Sequence, residues 1–181
     1  MNFLQVAARS REDSRNYQQI RRELDRIAGN INGSYSEFDW IPLRYITRAL
    51  SRRTLAGFYR IARVGVVTPL RDGMNLVAKE FVAARDDEDG VLILSTFAGA
   101  SRELTEAVLI NPFDVNETAQ AMEIAMRMGR DERRDRMSLM RRTVKENNVY
   151  RWAGRLLMDA ARIRQRQSLP SVRSRLERFG T

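Results

Sequence analysis

The chain has 181 residues and a formal net charge of +9 at pH 7, with no cysteine and no histidine. This length suffices for one domain with a self-sufficient core. The composition excludes a disulfide framework, thiolate chemistry and histidine acid–base catalysis, so any catalysis would use carboxylates, arginines and backbone dipoles.

The sequence contains no signal for a membrane. No stretch approaches the roughly 18 consecutive apolar residues that span a bilayer. The opening residues MNFLQVAARSRED also lack the long apolar segment of a secretory signal. We therefore expect a cytoplasmic protein without a membrane partner.

The basic residues are mostly arginines, thirty of 32. Through most of the chain they alternate with Asp and Glu, which is typical of solvated helix faces. The end of the chain differs, because six arginines accompany one glutamate between Arg162 and Gly180. We expect a basic, flexible tail over residues 164–181, and a nucleic-acid-binding arm is the alternative.

Short apolar runs alternate with helical patterns through the first two thirds of the chain. The predicted strands are NFLQVA, WIPLRYI, VGVVT, VLILS and AVLINP. Helices are predicted from near Ser14 to before Gly33, over SRRTLAGFYRIA, and from Asn75 onward. The first helix carries an apolar stripe formed by Tyr17, Ile20, Leu24, Ile27 and Ile31. Strands that are apolar on both faces and separated by helices indicate a parallel sheet covered on both sides.

After Pro112 the pattern becomes purely helical. The segments NETAQAMEIAMRMG, DERRDRMSLMRRTVKEN and VYRWAGRLLMDAARI predict three successive helices whose Met and Leu stripes are core. The segment TFAGASREL, Thr96–Leu104, is predicted as a turn. Together these patterns predict one α/β domain over residues 1–163 with a helical carboxyl-terminal extension.

The segment TPLRDGMNLVAKE, Thr68–Glu80, is the candidate ligand site, because ligands bind outside the carboxyl ends of parallel strands. Gly73 would let backbone approach a ligand, and the amides around Asn75 suit phosphate. Asp72 could accept hydrogen bonds from sugar hydroxyls, and Glu80 from the two hydroxyls of a ribose. A second interpretation fits equally well: Asp72 caps the helix, Gly73 makes the turn and Glu80 is a surface residue.

Three longer segments carry a resemblance to a known family. They are INGSYSEFDWIPLRYI, TPLRDGMNLVAKEFVAAR and LSTFAGASRELTEAVLINPFD. From VAARSRED to about Ile163 the chain resembles the carboxyl-terminal half of trehalose-6-phosphate synthases, retaining glycosyltransferases that join glucose from UDP-glucose to glucose 6-phosphate. The resemblance implies the Rossmann-like second domain of a two-domain, GT-B type enzyme.

The resemblance also implies roles for individual residues. Asp72 would hold glucose hydroxyls at the catalytic centre, Glu80 the ribose, and Leu50 the uracil, while Arg11 would reach the phosphate of the acceptor. The backbone from Met74 to Val77 would face the diphosphate and the sugar. The whole implied donor site comprises Leu50, Asp72, Gly73, Met74, Asn75, Leu76, Val77, Ala78, Lys79 and Glu80. No metal and no cofactor is implied, since the family needs no metal.

The chain departs from the family pattern in what it lacks. The first domain is absent, and so is the RxDYxKG-type segment whose arginine and lysine neutralise the leaving diphosphate. We therefore expect a partial enzyme. Its expected ligands are UDP-glucose and glucose 6-phosphate, and a separate first-domain polypeptide or a second copy of the chain would be its partner.

Two other functions stay open from the sequence. One is a non-catalytic module for nucleotide-sugar binding or subunit association. The other is a basic nucleic-acid-binding protein, which the intermingled charges disfavour. In the last predicted helix, Trp152, Leu156 and Leu157 form a stripe that should either be exposed or fold onto its own domain.

Overall fold

The structure is a computed structural model that describes residues 2–8 and 15–168. In chain order its strands and helices are β1 (Phe3–Val6), α1 (Arg15–Tyr35), β2 (Leu43–Ile46), α2 (Arg52–Ile61), β3 (Val64–Val67), α3 (Leu76–Ala84), β4 (Val91–Ser95), β5 (Val108–Ile110), α4 (Val115–Arg127), α5 (Arg130–Glu146) and α6 (Val149–Ser168). A short 3₁₀ helix, Gly99–Arg102, lies within the predicted turn. Each predicted strand and helix has a counterpart, so the predicted alternation is confirmed.

The chain divides between Leu55 and Ala56 into two compact units. In the first unit β1 and β2 pair in parallel, with Phe3 opposite Leu43. The side chain of Asn32 on α1 extends this pairing. Its Nδ2 donates to the carbonyl of Leu43 at 2.9 Å, and its Oδ1 accepts from the amide of Leu43 at 3.1 Å. These two bonds hold α1 against the start of β2.

Helix α1 continues to Tyr35, so the predicted end before Gly33 is wrong. The amide of Ser36 still donates to the carbonyl of Asn32 at 2.9 Å. A glycine inside a helix costs only about 1 kcal/mol relative to alanine. The continued hydrogen bonding outweighs that cost, and the helix runs through the glycine.

The second unit contains a three-stranded parallel sheet in the order β3, β4, β5. Val64 lies opposite Val91, and Ile93 lies opposite Val108. All five residues of the central strand β4 are buried. This is the burial expected of a parallel strand that helices cover on both faces.

The two faces of β4 belong to different core clusters. Leu92 and Leu94 pack with residues of α3 and α5, namely Ala78, Phe81, Val82, Met137 and Met140. Val91 and Ile93 pack with β5 and α4, through Ile110, Ala121, Ala125 and Met128. Gly65 on β3 makes room for the ring of Phe81, because a Cβ there would lie 2.9 Å from the ring. This packing fixes where α3 begins relative to the end of β3.

Helices α1, α5 and α6 differ in how much of their apolar stripe is buried. Helix α5 buries Met137 and Met140 completely in the core. Helix α6 leaves its predicted stripe of Trp152, Leu156 and Leu157 exposed, and α1 does the same with Tyr17, Ile20 and Ile27. Helix α6 runs through Ser168, and residues 169–181 of the predicted tail lie outside the described part of the chain. The domain boundary at 163 stays a prediction.

Candidate functional site

The loop between β3 and α3 is docked on the loop that follows β4. The amide of Asp72 donates to the carbonyl of Phe97 at 3.2 Å, and the amide of Gly99 donates to the carbonyl of Asp72 at 3.0 Å. The amide of Ala100 donates to the carbonyl of Met74 at 2.7 Å. Both loops lie at the carboxyl edge of the sheet, where open α/β sheets bind their ligands.

Gly99 is the residue that lets these two loops approach. A Cβ at this position would lie 2.1 Å from the carbonyl oxygen of Gly73, a distance that no packed side chain can adopt. Gly73 itself has open space around it, with nothing within 4 Å of an added Cβ. The role predicted for Gly73, to let backbone approach a ligand, stays a prediction, and the structure shows that Gly99 is the glycine that the docking of the two loops requires.

The carboxylate of Asp72 is half-buried and held on both oxygens. Its Oδ1 accepts from the amide of Met74 at 3.0 Å, and its Oδ2 accepts from Nδ2 of Asn75 at 3.0 Å. Asn75 in turn caps α3, because its Oδ1 accepts from the amide of Ala78 at 2.9 Å. The helix cap is therefore Asn75, and Asp72 bonds to the turn that precedes it.

The start of α3 presents its first amide groups at the carboxyl edge. The first N–H groups of any α-helix have no partner within the helix and carry partial positive charge. The side chains of Leu76 and Val77 are exposed, whereas Ala78 is completely buried and its amide is occupied by Asn75. The amides of the first two positions are thus placed to meet an anion, which is what this arrangement can do chemically.

Glu80 is an exposed residue of α3, four residues beyond Leu76. Burial raises the pKa of Tyr59, and the charge of the nearby Glu80 and its hydrogen bonding to the hydroxyl raise that pKa further. Tyr59 and Glu80 therefore influence each other across the contact between α2 and α3.

Lys79 is engaged inside the unit. Its Nζ donates to both carboxylate oxygens of Glu103, at 3.1 and 3.0 Å, and Asn147 donates to the same carboxylate at 3.3 Å. The contact ties α3 to the turn after β4 and to the end of α5. The participation of Lys79 in a ligand site stays a prediction.

Two predicted site residues lie outside the unit that contains this loop. Leu50 is half-buried in the first unit, just before α2, whereas the loop belongs to the second unit. Arg11 lies outside the described residues. What sequence inspection missed is the docking partner Gly99 and the ion pair of Lys79 with Glu103, because both depend on contacts across more than twenty positions. The asparagine cap could have been found from the turn-forming sequence before α3.

Two exposed aromatic rings lie beside the candidate loop. Phe97 follows β4 and Phe113 follows β5, and their ring centroids are 5.7 Å apart in an edge-to-face arrangement. Both rings are exposed.

Among residues 2–8 and 15–168, no group of three acidic side chains could hold a metal ion. No helix in the same described ranges is long and apolar enough to cross a membrane.

Parallel strands with helices on both faces, and a helix start at the carboxyl edge, define an open α/β domain, a class of domain whose ligands generally bind at that edge. The family model for glycosyltransferase family 20 matches residues 1–162. The chain belongs to glycosyltransferase family 20.

Two similar relatives are trehalose-6-phosphate synthases. The protein from Sinorhizobium fredii is 48% identical over 160 residues, which make up 88% of this chain and 34% of the relative. The protein from Klebsiella pneumoniae is 43% identical over 180 residues, or 99% of this chain and 38% of the relative. The chain spans little more than a third of the length of these relatives.

Solved structures of the family have the same fold. A Burkholderia xenovorans alpha,alpha-trehalose-phosphate synthase (UDP-forming), in complex with glucose-6-phosphate, is 47% identical with a TM-score of 0.85, and the match covers 87% of this chain and 35% of that one. An E. coli structure bound with UDP-2-fluoro glucose is 45% identical with the same TM-score and the same coverage. The predicted fold class, a Rossmann-like half of a GT-B type glycosyltransferase, is confirmed.

Proposed function

We propose that this chain provides the donor-binding part of a trehalose-6-phosphate synthase, which transfers glucose from UDP-glucose to glucose 6-phosphate. The observation that carries the proposal is the docked loop from Asp72 to Asn75 with the exposed start of α3, in a chain 42 to 48% identical to trehalose-6-phosphate synthases. A relative of this family has been solved with glucose-6-phosphate and another with UDP-2-fluoro glucose.

Three parts of the donor, namely the ribose, the diphosphate and the glucose, have a matching group in the proposed site. The ribose hydroxyls bind Glu80, whose exposed carboxylate has lone pairs that can accept from both of them. The diphosphate meets the amides of Leu76 and Val77 at the start of α3. The glucose hydroxyls bind Asp72, whose two oxygens each accept one bond from the protein and keep room for another.

The proposed reaction needs no base from the described site. The bond between the anomeric carbon and the β-phosphate oxygen breaks, and its electron pair stays on the phosphate. The acceptor hydroxyl bonds to the same face of the anomeric carbon, and its proton passes to the leaving phosphate. The amides at the start of α3 stabilise the charge that develops on the diphosphate.

The remaining two thirds of the relatives' length would supply the acceptor site and the cations for the diphosphate. Arg11, as proposed, contributes one contact to the acceptor phosphate. A separate first-domain polypeptide would provide the rest. The exposed apolar residues of α6 and the exposed pair of Phe97 and Phe113 give that partner, or a second copy of this chain, a surface. The charged, phosphorylated substrates place the proposed reaction in the cytoplasm.

The test measures UDP release and disaccharide formation from UDP-glucose and glucose 6-phosphate. The purified chain is assayed alone and with a polypeptide comprising the remaining part of the E. coli relative. We expect activity only with the added polypeptide, because positioning of both substrates can supply roughly 7–11 kcal/mol of the barrier. Binding of UDP-glucose without turnover in either mixture would favour a non-catalytic binding module, and absence of binding would overturn the proposal.

A further inference from the structure

We propose that Asn75 is a positioning residue: its side chain orients the carboxylate of Asp72 toward the sugar of the donor while it caps α3. This inference rests on the proposed function, since it takes Asp72 as the sugar-binding group. The side-chain amide of Asn75 would then link two parts of the donor site: the carboxylate that binds the sugar and the start of α3 that binds the diphosphate.

Both ends of the Asn75 amide are used, and the two bonds fix which end is which. The amide of Ala78 can only donate, so the atom 2.9 Å from it must be the oxygen Oδ1. The other end is therefore Nδ2, which lies 3.0 Å from Oδ2 of Asp72 and donates to it. Because Met74 holds the other oxygen of Asp72 at 3.0 Å, the carboxylate has one orientation.

A helix cap alone would not require asparagine here. Aspartate, serine and threonine also cap helices, but the nearest in shape, aspartate, has no hydrogen to donate and would repel Asp72. The backbone of Asn75 has φ of 75° and ψ of 92°, and a positive φ is tolerated by asparagine better than by most residues. The residue thus combines a left-handed turn, an acceptor for the helix and a donor for the carboxylate.

The experiment titrates the full chain with UDP and with UDP-glucose by calorimetry, in wild type and in the variants Asn75→Asp and Asn75→Gly. We expect the ratio of the dissociation constants, UDP-glucose over UDP, to rise about tenfold in Asn75→Gly and by less in Asn75→Asp. The charge added by Asn75→Asp repels UDP, which has a free terminal phosphate, more strongly than UDP-glucose, so it opposes the rise in the ratio. Asn75→Gly adds no charge and keeps a residue that favours positive φ.

The matched control is Asn148→Gly, which removes another asparagine cap. Oδ1 of Asn148 accepts from the amides of Tyr150 and Arg151 at 3.1 Å at the start of α6. This variant should lower the melting temperature without changing the ratio.

A measurement without ligand comes from the double variant Asp72→Asn/Asn75→Asp, in which the donor and the acceptor of the hydrogen bond between the two side chains are exchanged. It should recover most of the melting temperature that Asn75→Asp alone loses, because the pair is in direct contact.

The outcomes separate two failures. If wild type binds both ligands but the ratio is unchanged in both Asn75 variants, Asn75 is only a cap and the inference is overturned while the proposed function stands. If wild type binds neither UDP nor UDP-glucose, the proposed function fails and the inference with it. A raised ratio with thermal recovery in the double variant supports the inference.

Discussion

The two edges of the β3–β4–β5 sheet use charge differently. At the amino edge, arginines are paired with carboxylates and helix-end carbonyls of the protein itself. Four ion pairs involve the acidic loop between α3 and β4: Arg60 with Asp86, Arg85 with Asp87, Arg134 with Glu88 and Arg133 with Asp89. At the carboxyl edge, Glu80 is exposed and Asp72 keeps lone pairs for another donor. Charge at the first edge serves the fold, whereas at the second edge Lys79 and Glu103 are paired and the carboxylates of Asp72 and Glu80 still have lone pairs that can accept further hydrogen bonds.

Arg85 shows most clearly how the amino edge works. Its guanidinium donates to the carbonyls of Tyr59 at 3.3 Å, Ala62 at 2.8 Å and Arg60, all at the end of α2. Arg141 does the same for α3, donating to the carbonyl of Ala83 at 2.9 Å. Cations at helix carboxyl ends neutralise the partial negative charge there. The arginine richness of the chain thus has a structural use, which disfavours the nucleic-acid alternative.

The largest effect should come from Arg85→Met at the amino edge. The Arg85 side chain is 5% exposed, and its loss leaves three helix-end carbonyls and the carboxylate of Asp87 without their donor. We expect the free energy of unfolding to fall by about 3 kcal/mol, because hydrogen bonds to a charged group contribute about 1.5–3 kcal/mol each. Urea denaturation measures it, with Arg134→Met, a 69% exposed partner in a 3.7 Å pair, as the control that should change little. If the protein that remains folded in Arg85→Met bound UDP more weakly than wild type, the two edges would not act independently.

Asp72→Asn tests the sugar contact at the carboxyl edge. The substitution removes the charge that strengthens hydrogen bonds to hydroxyls, and such bonds contribute about 1.5–3 kcal/mol. Affinity for UDP-glucose should therefore fall by roughly tenfold or more, while affinity for UDP, which has no glucose, should stay near wild type. Calorimetric titration with both ligands checks this. Equal losses for the two ligands would contradict the assignment of Asp72 to the sugar.

Glu80→Gln tests the ribose contact and should have a smaller effect, because Glu80 is exposed. Both UDP and UDP-glucose carry the ribose, so both affinities should fall together by several-fold. The same variant removes one of the causes that raise the pKa of Tyr59, so a spectroscopic titration of tyrosine should show that pKa moving down toward its ordinary value. Unchanged affinities with the expected shift in Tyr59 would show that Glu80 touches Tyr59 but no ligand.

The smallest effect concerns acid stability at the amino edge. The hydrogen bond from Arg133 to Asp89, at 2.6 Å, holds the pKa of Asp89 below its ordinary value, against the opposite effect of burial. Asp89 therefore stabilises the folded state above the pKa of an unfolded aspartate, about 3.9, and this contribution is lost as the pH falls through the lowered folded pKa. Asp89→Asn should be less stable than wild type at pH 7, and the difference should vanish in strong acid.

The control for this pH series is Asp159→Asn. Asp159 contacts Arg162 at 3.5 Å on α6, and both side chains are mostly exposed. Exposed pairs of this kind contribute little to stability. Urea denaturation at several pH values should give wild-type curves for Asp159→Asn, and a constant difference between Asp89→Asn and wild type down to strong acid would contradict the linkage.

The sequence predicted the features that depend on neighbouring residues. Strand β4 was recognisable because five consecutive apolar or small residues suit a strand buried on both faces. The start of α3 was recognisable because Asp72, Gly73 and Asn75 favour turns and caps. The fold class and the family followed from these patterns and from the resemblance.

The features that the sequence did not predict depend on distant contacts. The pairing of Lys79 with Glu103 spans 24 positions, and that of Arg133 with Asp89 spans 44. Nothing local distinguishes a paired arginine from a solvated one. The stripes of α5 and α6 also look alike in the sequence, yet only α5 is buried, because periodicity predicts an apolar face and not what covers it.

The two glycines of the docked loops have opposite tolerance to mutation. At position 99 any side chain collides with the backbone of Gly73, so substitutions there should be rejected by the fold itself. At position 73 there is open space around the Cβ position, so alanine should leave folding intact. It would weaken ligand binding only if the ligand occupies that space. In a saturation screen scored separately for abundance and for nucleotide binding, position 99 would be depleted in both scores and position 73 in the binding score alone.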